Sequence, residues 1–574
     1  MSYGPRAVRT ALLSGLLIAL FSGAAPSFAQ TPAPGAAEAA PDSPGDAADP
    51  TPSDAADEGE PAGDEQTSAD PAPAVADDIG DAGDATASAS TGDIDDADAP
   101  GAGAVGQPAS PEAAAAAAVS AEGEEAAGNE GDVDDEAPEF WSAFAFGSYG
   151  RVVAASDLMG GTGRDADIVA FDPRIDEGTY LELELRREDQ WAFMQSKIVA
   201  TLAIGGPLFH FDGDFDEVLA IRNLYLELID VAAPGVSIWA GSRMWRGDDM
   251  YLLDTWPLDN LNAVGGGLDY THDLFQLRSA VALARPNDPF QTQIIDVPPE
   301  DGSFTPTDVF ILDRPRLVLA LKGTYFPFGT GEDHGAKLVL YTEYHSISDG
   351  NRQTDDGTVE ALPSDDGYVI GAQLGGWLVD DHAFINIFAR YARGLGAYDP
   401  LGVPFSTGAV ISTAAAEETL IALSANYEYD FMGVQVAAYY RRFRDADPSL
   451  LERNLLGEGA IDIRPHVWFL DWLGLAVDLS YQALEETGLD VTTDEPVGGE
   501  VWKLGILPFI SPGGRGTYTR PHLRLIYSAT FRDEGARRLY HSADPRASRE
   551  VEHFIGIGAE WWIDTSSYLG PQLR

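Results

Sequence analysis

The chain has 574 residues, a formal net charge of −58 from 93 acidic and 35 basic side chains, and no cysteine. This acidic excess argues against nucleic acid as a partner, because binding to phosphate depends on Lys and Arg. Without cysteine there is no disulfide, no thiolate metal site and no cysteine nucleophile.

The first 29 residues have the organisation of a secretory signal peptide. Arg6 and Arg9 precede the apolar run ALLSGLLIALFSGAA, and the small-x-small sequence SFA stands just before Gln30. The apolar run is short for a membrane span. We therefore expect export of the protein and cleavage near Ala29.

Residues 30–138 consist mainly of Ala, Asp, Glu, Pro, Gly and Ser. Between residues 30 and 139 there are 29 acidic side chains and no Lys, Arg, His, Phe, Trp or Tyr. Such a segment cannot bury enough apolar surface to offset the entropy lost on ordering. We interpret it as a disordered acidic tether, either a solvated spacer or a tail that binds a cationic partner.

Residues 139–563 alternate between apolar and polar side chains at period two, in segments of about 10 to 14 residues. In TYLELELR, Leu181, Leu183 and Leu185 share one face and the other face is polar. The sequences TRPHLRLIYSATF (519–531) and VEHFIGIGAEWWI (551–563) follow the same rule. Because no run of 18 apolar residues follows the signal peptide, the mature chain is either soluble or held in a membrane by strands.

The connections between about 18 such segments alternate in length. Long ones, such as DLMGGTGRDADIVAFDPRIDE, follow odd-numbered strands, and short ones, such as HD and YDF, follow even-numbered strands. This layout is typical of a bacterial outer-membrane barrel, and a sheet of this length must close to leave no unpaired edge in lipid. We predict an all-β fold, an 18-stranded antiparallel transmembrane β-barrel with an aqueous channel, over the alternatives of a soluble sandwich or propeller.

The stretch WAGSRMWRGDDMYLLDTW (239–256) resembles a motif of the maltoporin-type carbohydrate porins. In that family a strand ending in W-A-G-K-R and two aromatics leads into the third external loop. KLGILPFISPGG…YTRPHLRLIYSATF (503–531) and FIGIGAEWW (554–562) are similar to two later strands of the family. The resemblance covers the barrel but not the tether. It implies a homotrimer in outer-membrane lipid and a third loop that folds into the pore.

The resemblance also implies a sugar-binding track of aromatic side chains along the lumen. Carried over position by position, this aromatic slide comprises Tyr149, Tyr180, Trp256, Tyr518 and Trp562. The alternation agrees, since Tyr180, Tyr518 and Trp562 fall on the polar face. Sugar rings stack their apolar faces on aromatic rings, and their hydroxyls suit ionised side chains. Taken singly, each tyrosine is open to the alternative of a packing or interfacial residue.

The same comparison assigns the polar sugar contacts and the constriction to Arg151, Glu182, Arg246, Asp249, Tyr251 and Asp254. The family's loop arginine falls on Gly247 and its histidine falls on Tyr251, with Arg246 as a substitute one position earlier. The loop is therefore more acidic and more aromatic than the family pattern. We expect its selectivity to differ, with a pore that favours cations.

These features predict an outer-membrane channel for the facilitated diffusion of carbohydrates, either maltodextrin-like oligosaccharides or other sugars. The alternative is a general porin for small polar or cationic solutes. We expect no cofactor, metal or catalytic residue, because the nine histidines lack H-E-x-x-H spacing and there is no G-x-S-x-G elbow.

Two further alternatives stay open. Asp248, Asp249 and Asp254 could act as paired carboxylates in glycoside hydrolysis. The barrel could instead be structural, with the tether as a periplasmic spacer. The sequence also continues past Ile563 as an extension, residues 564–574, to which we assign no role.

Overall fold

The computed structural model describes residues 141–206, 218–297, 307–329, 334–354, 357–378, 383–399, 402–404, 410–447, 455–489 and 496–565. The predicted signal peptide (1–29), the predicted tether (30–138) and the extension beyond residue 565 lie outside these ranges.

Eighteen strands of the described residues form one antiparallel sheet. They are β1 (Trp141–Ser156), β2 (Tyr180–Gln190), β3 (Gln195–Gly205), β4 (Val218–Ile229), β5 (Val236–Arg246), β6 (Asn260–His272), β7 (Phe275–Ala284), β10 (Arg316–Tyr325), β11 (His334–Ile347), β14 (Asp365–Leu378), β15 (Phe384–Gly394), β16 (Glu417–Tyr429), β17 (Met432–Arg444), β18 (Leu455–Leu470), β19 (Leu473–Leu489), β20 (Pro496–Ile510), β21 (His522–Arg532) and β22 (Val551–Ile563). Each strand pairs with the next, and β1 closes the ring by pairing with β22 from Ser148↔Ile563 to Ser156↔Ile555. The predicted 18-stranded antiparallel barrel is confirmed.

Side chains along the strands alternate between two environments. Apolar side chains such as Leu219 point outward and are exposed, to 63% in that case, whereas inward carboxylates such as Glu184 and Glu560 are fully buried. In a soluble protein, large apolar side chains are mostly buried and carboxylates are mostly exposed. An apolar outer face and a polar inner face suit a barrel surrounded by lipid.

The connections alternate in length as predicted. At one rim, the short-turn rim, β6 joins β7 through residues 273–274 and β16 joins β17 through residues 430–431. At the other rim, the long-loop rim, residues 157–179 and 285–315 are among the long connections. The connection 511–521 between β20 and β21 is an exception, because it is long although it lies at the short-turn rim.

The long loops contain regular structure that the alternation pattern does not predict. Two hairpins pair β8 (Thr292–Val297) with β9 (Thr307–Asp313) and β12 (Gly350–Gln353) with β13 (Val359–Leu362). Helices α1 (Glu534–Arg538) and α2 (Pro545–Ser548) lie between β21 and β22, and single 3₁₀ turns form at Tyr251–Leu253 and Leu395–Ala397. None of the helices in the described ranges is long and apolar enough to cross a membrane.

Candidate functional site

The third loop, residues 247–259 between β5 and β6, folds into the barrel. The backbone amide of Met250 donates to the carbonyl of Thr255 at 2.8 Å, which closes a tight turn around the 3₁₀ turn. Asp254 ends this turn in the left-handed conformation, with φ of 41°. Leu252 and Leu253 are buried, and the 3₁₀ turn lies against β17 on the inner wall.

Two buried ion pairs anchor the third loop to the inner wall. The Asp259 carboxylate lies 2.6 Å from Lys322 Nζ on β10, and the Asp248 carboxylate lies 2.7 Å from Lys337 Nζ on β11. Removing one partner of such a pair would leave an uncompensated buried charge, which typically costs about 3–5 kcal/mol. The loop is therefore firmly held at both ends.

The anchor at Asp259 also explains a departure from the family pattern. A side chain at Gly247 would collide with the Asp259 carboxylate and with Lys322 Nζ. The family pattern has an arginine at this position. Here the space that its side chain would need is taken by the ion pair between Asp259 and Lys322. The preceding arginine, Arg246, lies on the inside of the barrel instead, with its guanidinium carbon 4.0 Å from the centre of the Trp256 ring.

The tip of the third loop meets a connection from the opposite rim. The Tyr251 hydroxyl lies 2.9 Å from a Glu560 oxygen on β22 and 2.5 Å from Arg520 Nη2. The Tyr251 ring packs against Tyr518 at 5.5 Å and against Trp562 at 6.0 Å between ring centres. Tyr518 and Arg520 belong to the connection 511–521, which we call the inward turn. A loop and a turn from the two rims thus touch inside the barrel.

The first loop, residues 157–179, also enters the barrel, which the sequence analysis did not predict. Its backbone amides donate to wall side chains, Ile168 to Gln482 at 3.0 Å and Ala170 to Glu458 at 2.9 Å. Farther along, the amide of Arg174 donates to the carbonyl of Leu252 in the third loop at 3.0 Å. The apolar run IVAF at residues 168–171, unusual for a loop in water, was a signal that could have indicated this burial.

A network of charges joins the first loop, the third loop and β1. The Arg174 guanidinium lies 2.6 Å from the Tyr149 hydroxyl, 2.8 Å from Glu177 and 3.4 Å from Asp254. Arg151 lies 2.8 Å from Glu177 and 3.6 Å from Asp254. Burial raises the pKa of Glu177. Burial also opposes ionisation of Asp254, but the charges of Arg174 and Arg151 outweigh this effect and hold the pKa of Asp254 below its usual value. Both arginines therefore have ionised carboxylate partners.

The aromatic residues predicted to form the slide differ in exposure. Tyr149 and Tyr518 are buried, whereas Tyr180, Trp256 and Trp562 are half-buried. Burial raises the pKa of the Tyr518 hydroxyl, and the nearby Asp249 carboxylate raises it further. Tyr149 and Tyr180 lie beside each other, 5.9 Å between ring centres.

Arginines cover faces of these rings, a feature that the sequence analysis missed. Besides Arg246 over Trp256, Arg520 lies over Trp562 at 4.2 Å, and Arg151 and Arg222 each lie 5.8 Å from the centre of the Tyr180 ring. Cations are attracted to aromatic faces at these distances. Alternation identifies the side chains on the inward face of a strand, but it does not show which of them lie over the aromatic rings.

The predicted polar residues lie in the same region. Glu182 accepts a hydrogen bond of 2.5 Å from the Tyr180 hydroxyl and is buried, while the side chain of Asp254 stays 38% exposed. Among the predicted carboxylates of a hydrolase, Asp248 and Asp254 form ion pairs with basic side chains. Within the described ranges, no group of three or more His, Asp or Glu side chains is arranged to hold a metal ion.

The sequence and the fold were compared with known proteins. A family model described as LamB porin matches residues 174–562. No curated protein matches the sequence. Similar solved structures include OmpT, an outer membrane protein of Vibrio cholerae, with 10% identity over 75% of this chain and 99% of that chain and a TM-score of 0.34. OccAB1 of Acinetobacter baumannii has 11% identity over 74% and 96% of the two chains, and OpdQ of Pseudomonas aeruginosa has 11% over 74% and 98%, both with a TM-score of 0.38. Likeness at this level says nothing about substrate.

Proposed function

Since this chain belongs to the LamB porin family, a family of outer-membrane channels, we propose that it mediates the facilitated diffusion of sugars across the outer membrane. The constriction is formed by the third loop, the first loop and the inward turn. Sugar passes along the half-buried aromatic side chains Tyr180, Trp256 and Trp562.

The observation that supports this proposal is the pairing of aromatic surface with ionised groups inside the barrel. Trp256 is half-buried, so part of its ring is open to a solute, and Asp254 two residues earlier is partly exposed. Apolar sugar faces stack on such rings, while charged groups exchange hydrogen bonds with sugar hydroxyls. Several weak contacts of this kind let a solute enter and still leave.

The test is current block in a planar bilayer. Purified protein is inserted, and neutral mono- and oligosaccharides are titrated while the ionic current is recorded. We expect concentration-dependent block by at least one sugar class. Trp256→Ala should raise the half-blocking concentration roughly 2- to 10-fold, the range that an aromatic contact gives.

A tryptophan on the outer face supplies the matched control. Trp502 on β20 is 59% exposed on the lipid side, so Trp502→Ala should leave sugar block unchanged. If no sugar blocks the current, the protein is the alternative, a general porin for small polar or cationic solutes. If both tryptophan variants weaken block equally, Trp256 has no specific part in it.

The family resemblance also supports a homotrimer, which native mass spectrometry of the detergent-solubilised protein would test.

We place the tether of residues 30–138 in the periplasm, because β1 begins at the short-turn rim, which faces the periplasm in outer-membrane barrels. Protease digestion of intact cells should then leave the tether uncut, and removing the outer membrane should expose it.

A further inference from the structure

Within the described ranges, Arg246 differs from Arg151 and Arg174 in forming no ion pair with an acidic side chain. Arg151 and Arg174 form ion pairs with Glu177 and Asp254. For Arg246, in contrast, the described part of the chain offers no carboxylate within 4.0 Å and no hydrogen bond, and its Nε is buried without a partner. An unpaired buried donor is costly unless something binds to it.

The neighbouring carboxylates are already engaged. Glu182 accepts from the Tyr180 hydroxyl at 2.5 Å, and Asp254 is held by Arg151 and Arg174. A second guanidinium, that of Arg222, lies close enough to Arg246 to repel it, and its Nε donates to the Tyr180 hydroxyl at 3.2 Å. Two guanidinium groups thus lie near each other, and although Glu182 and Asp254 attract Arg246 over a longer distance, neither forms an ion pair with it.

The position of Arg246 over Trp256 determines what it can bind. The guanidinium carbon lies over the Trp256 ring, 4.0 Å from the ring centre, so the cation is held against the indole. A guanidinium carries its N–H donors in one plane, in a fixed fork geometry. A guanidinium held in this way is suited to two parallel hydrogen bonds to a carboxylate. Trp256 and Tyr180 are both half-buried, and the Tyr180 ring lies 5.8 Å from the guanidinium carbon of Arg222, so aromatic surface for a pyranose is present near both arginines.

We propose that Arg246, with Arg222 beside it, binds the carboxylate of an acidic sugar of the uronate class while the sugar ring contacts Trp256 and Tyr180. This inference rests on the proposed sugar channel and specifies its substrate class. It makes Arg246 a specificity-determining residue, since a neutral sugar has no group that neutralises its charge.

The experiment compares three solutes on the full-length protein in planar bilayers: glucose, glucuronate and acetate. Glucuronate should block the current at a concentration about 10-fold or more below that of glucose, the gain expected from a charge-assisted bidentate contact. Acetate should block far less than glucuronate, because it lacks the ring. Arg246→Gln should bring the half-blocking concentrations of the two sugars together, and Arg246→Lys should give an intermediate difference.

Arg187→Gln is the matched control, since Arg187 has a 57% exposed side chain and an aspartate partner. It should keep the wild-type preference for glucuronate. Equal block by glucose and glucuronate in the wild-type protein would overturn the inference while leaving the sugar channel intact. Acetate as effective as glucuronate would also overturn it, in favour of a plain carboxylate site. Block by no sugar would overturn the proposed function itself.

Discussion

Tyr251 is the residue through which the third loop touches the far wall and the inward turn. One hydroxyl lies between two buried charges, donating to Glu560 and accepting from Arg520. The Arg174 guanidinium also lies 4.6 Å from the centre of its ring. The family pattern has a histidine here, so the sequence indicated the place of the contact but not its chemistry. The tyrosine bridges the carboxylate and the guanidinium with a single hydroxyl.

Removing that hydroxyl should loosen the loop tip. Tyr251→Phe leaves Glu560 and Arg520 each short of one hydrogen bond, which we expect to lower the free energy of unfolding by about 1–3 kcal/mol. Urea unfolding of the protein in lipid vesicles, followed by tryptophan fluorescence, measures this. Tyr429→Phe is the control, because Tyr429 is 65% exposed. Equal stability of the two variants would show that the hydroxyl bridge contributes nothing.

At the scale of elements, the first loop shows where sequence reasoning ends. Strands could be predicted because period-two alternation is a local signal. The inward path of the first loop depends on contacts with residues far along the chain. Lys503 Nζ on β20 lies 2.7 Å from Asp167 and 2.7 Å from Asp176, so one cation holds two carboxylates of the loop. No local pattern in the sequence indicates such a pairing.

The contact of Lys503 with Asp167 and Asp176 should make the free energy of unfolding depend on pH. Burial raises the pKa of Asp176 to about 7, against the opposing effect of Lys503, with Asp167 and Asp165 raising it further. The folded state then holds a proton that the unfolded chain releases near pH 4. The free energy of unfolding should therefore fall as pH rises from about 4 to about 7, by at most about 1.4 kcal/mol per pH unit, and then level off.

Asp176→Asn tests this pH dependence directly, because asparagine resembles the protonated acid. Its free energy of unfolding should fall less steeply with rising pH than that of the wild-type protein, because one raised carboxyl group is removed while Asp165 and Asp172, whose pKa values burial also raises, remain. Asp471→Asn, at a side chain that is 83% exposed, should keep the wild-type profile. An unchanged slope in Asp176→Asn would assign the pH dependence to another group.

At the scale of the whole molecule, the closed barrel follows from features that the sequence repeats many times. Eighteen alternating strands and connections of alternating length determine the fold, so a local error such as the missed hairpin β8–β9 leaves the architecture unchanged. The lumen is harder to predict, because each of its contacts joins one particular set of residues and is not repeated along the sequence. The resemblance assigned Trp256 and Asp254 to the third loop, which folds into the barrel, but the arginines over the rings became visible only in three dimensions. The cation preference expected from the net charge stays a prediction for the pore as a whole, and it does not extend to the site at Arg246, which we propose binds an anionic sugar.

The central claim is that the lumen recognises sugars rather than filtering by size alone. Swelling of proteoliposomes tests it most directly, by comparing the entry rate of a sugar with that of a poly(ethylene glycol) of equal hydrodynamic radius. We predict faster entry of the sugar, because only the sugar has both an apolar face for the aromatic rings and hydroxyls for the charged groups. Entry rates that follow solute radius alone, without regard to chemistry, would contradict the account.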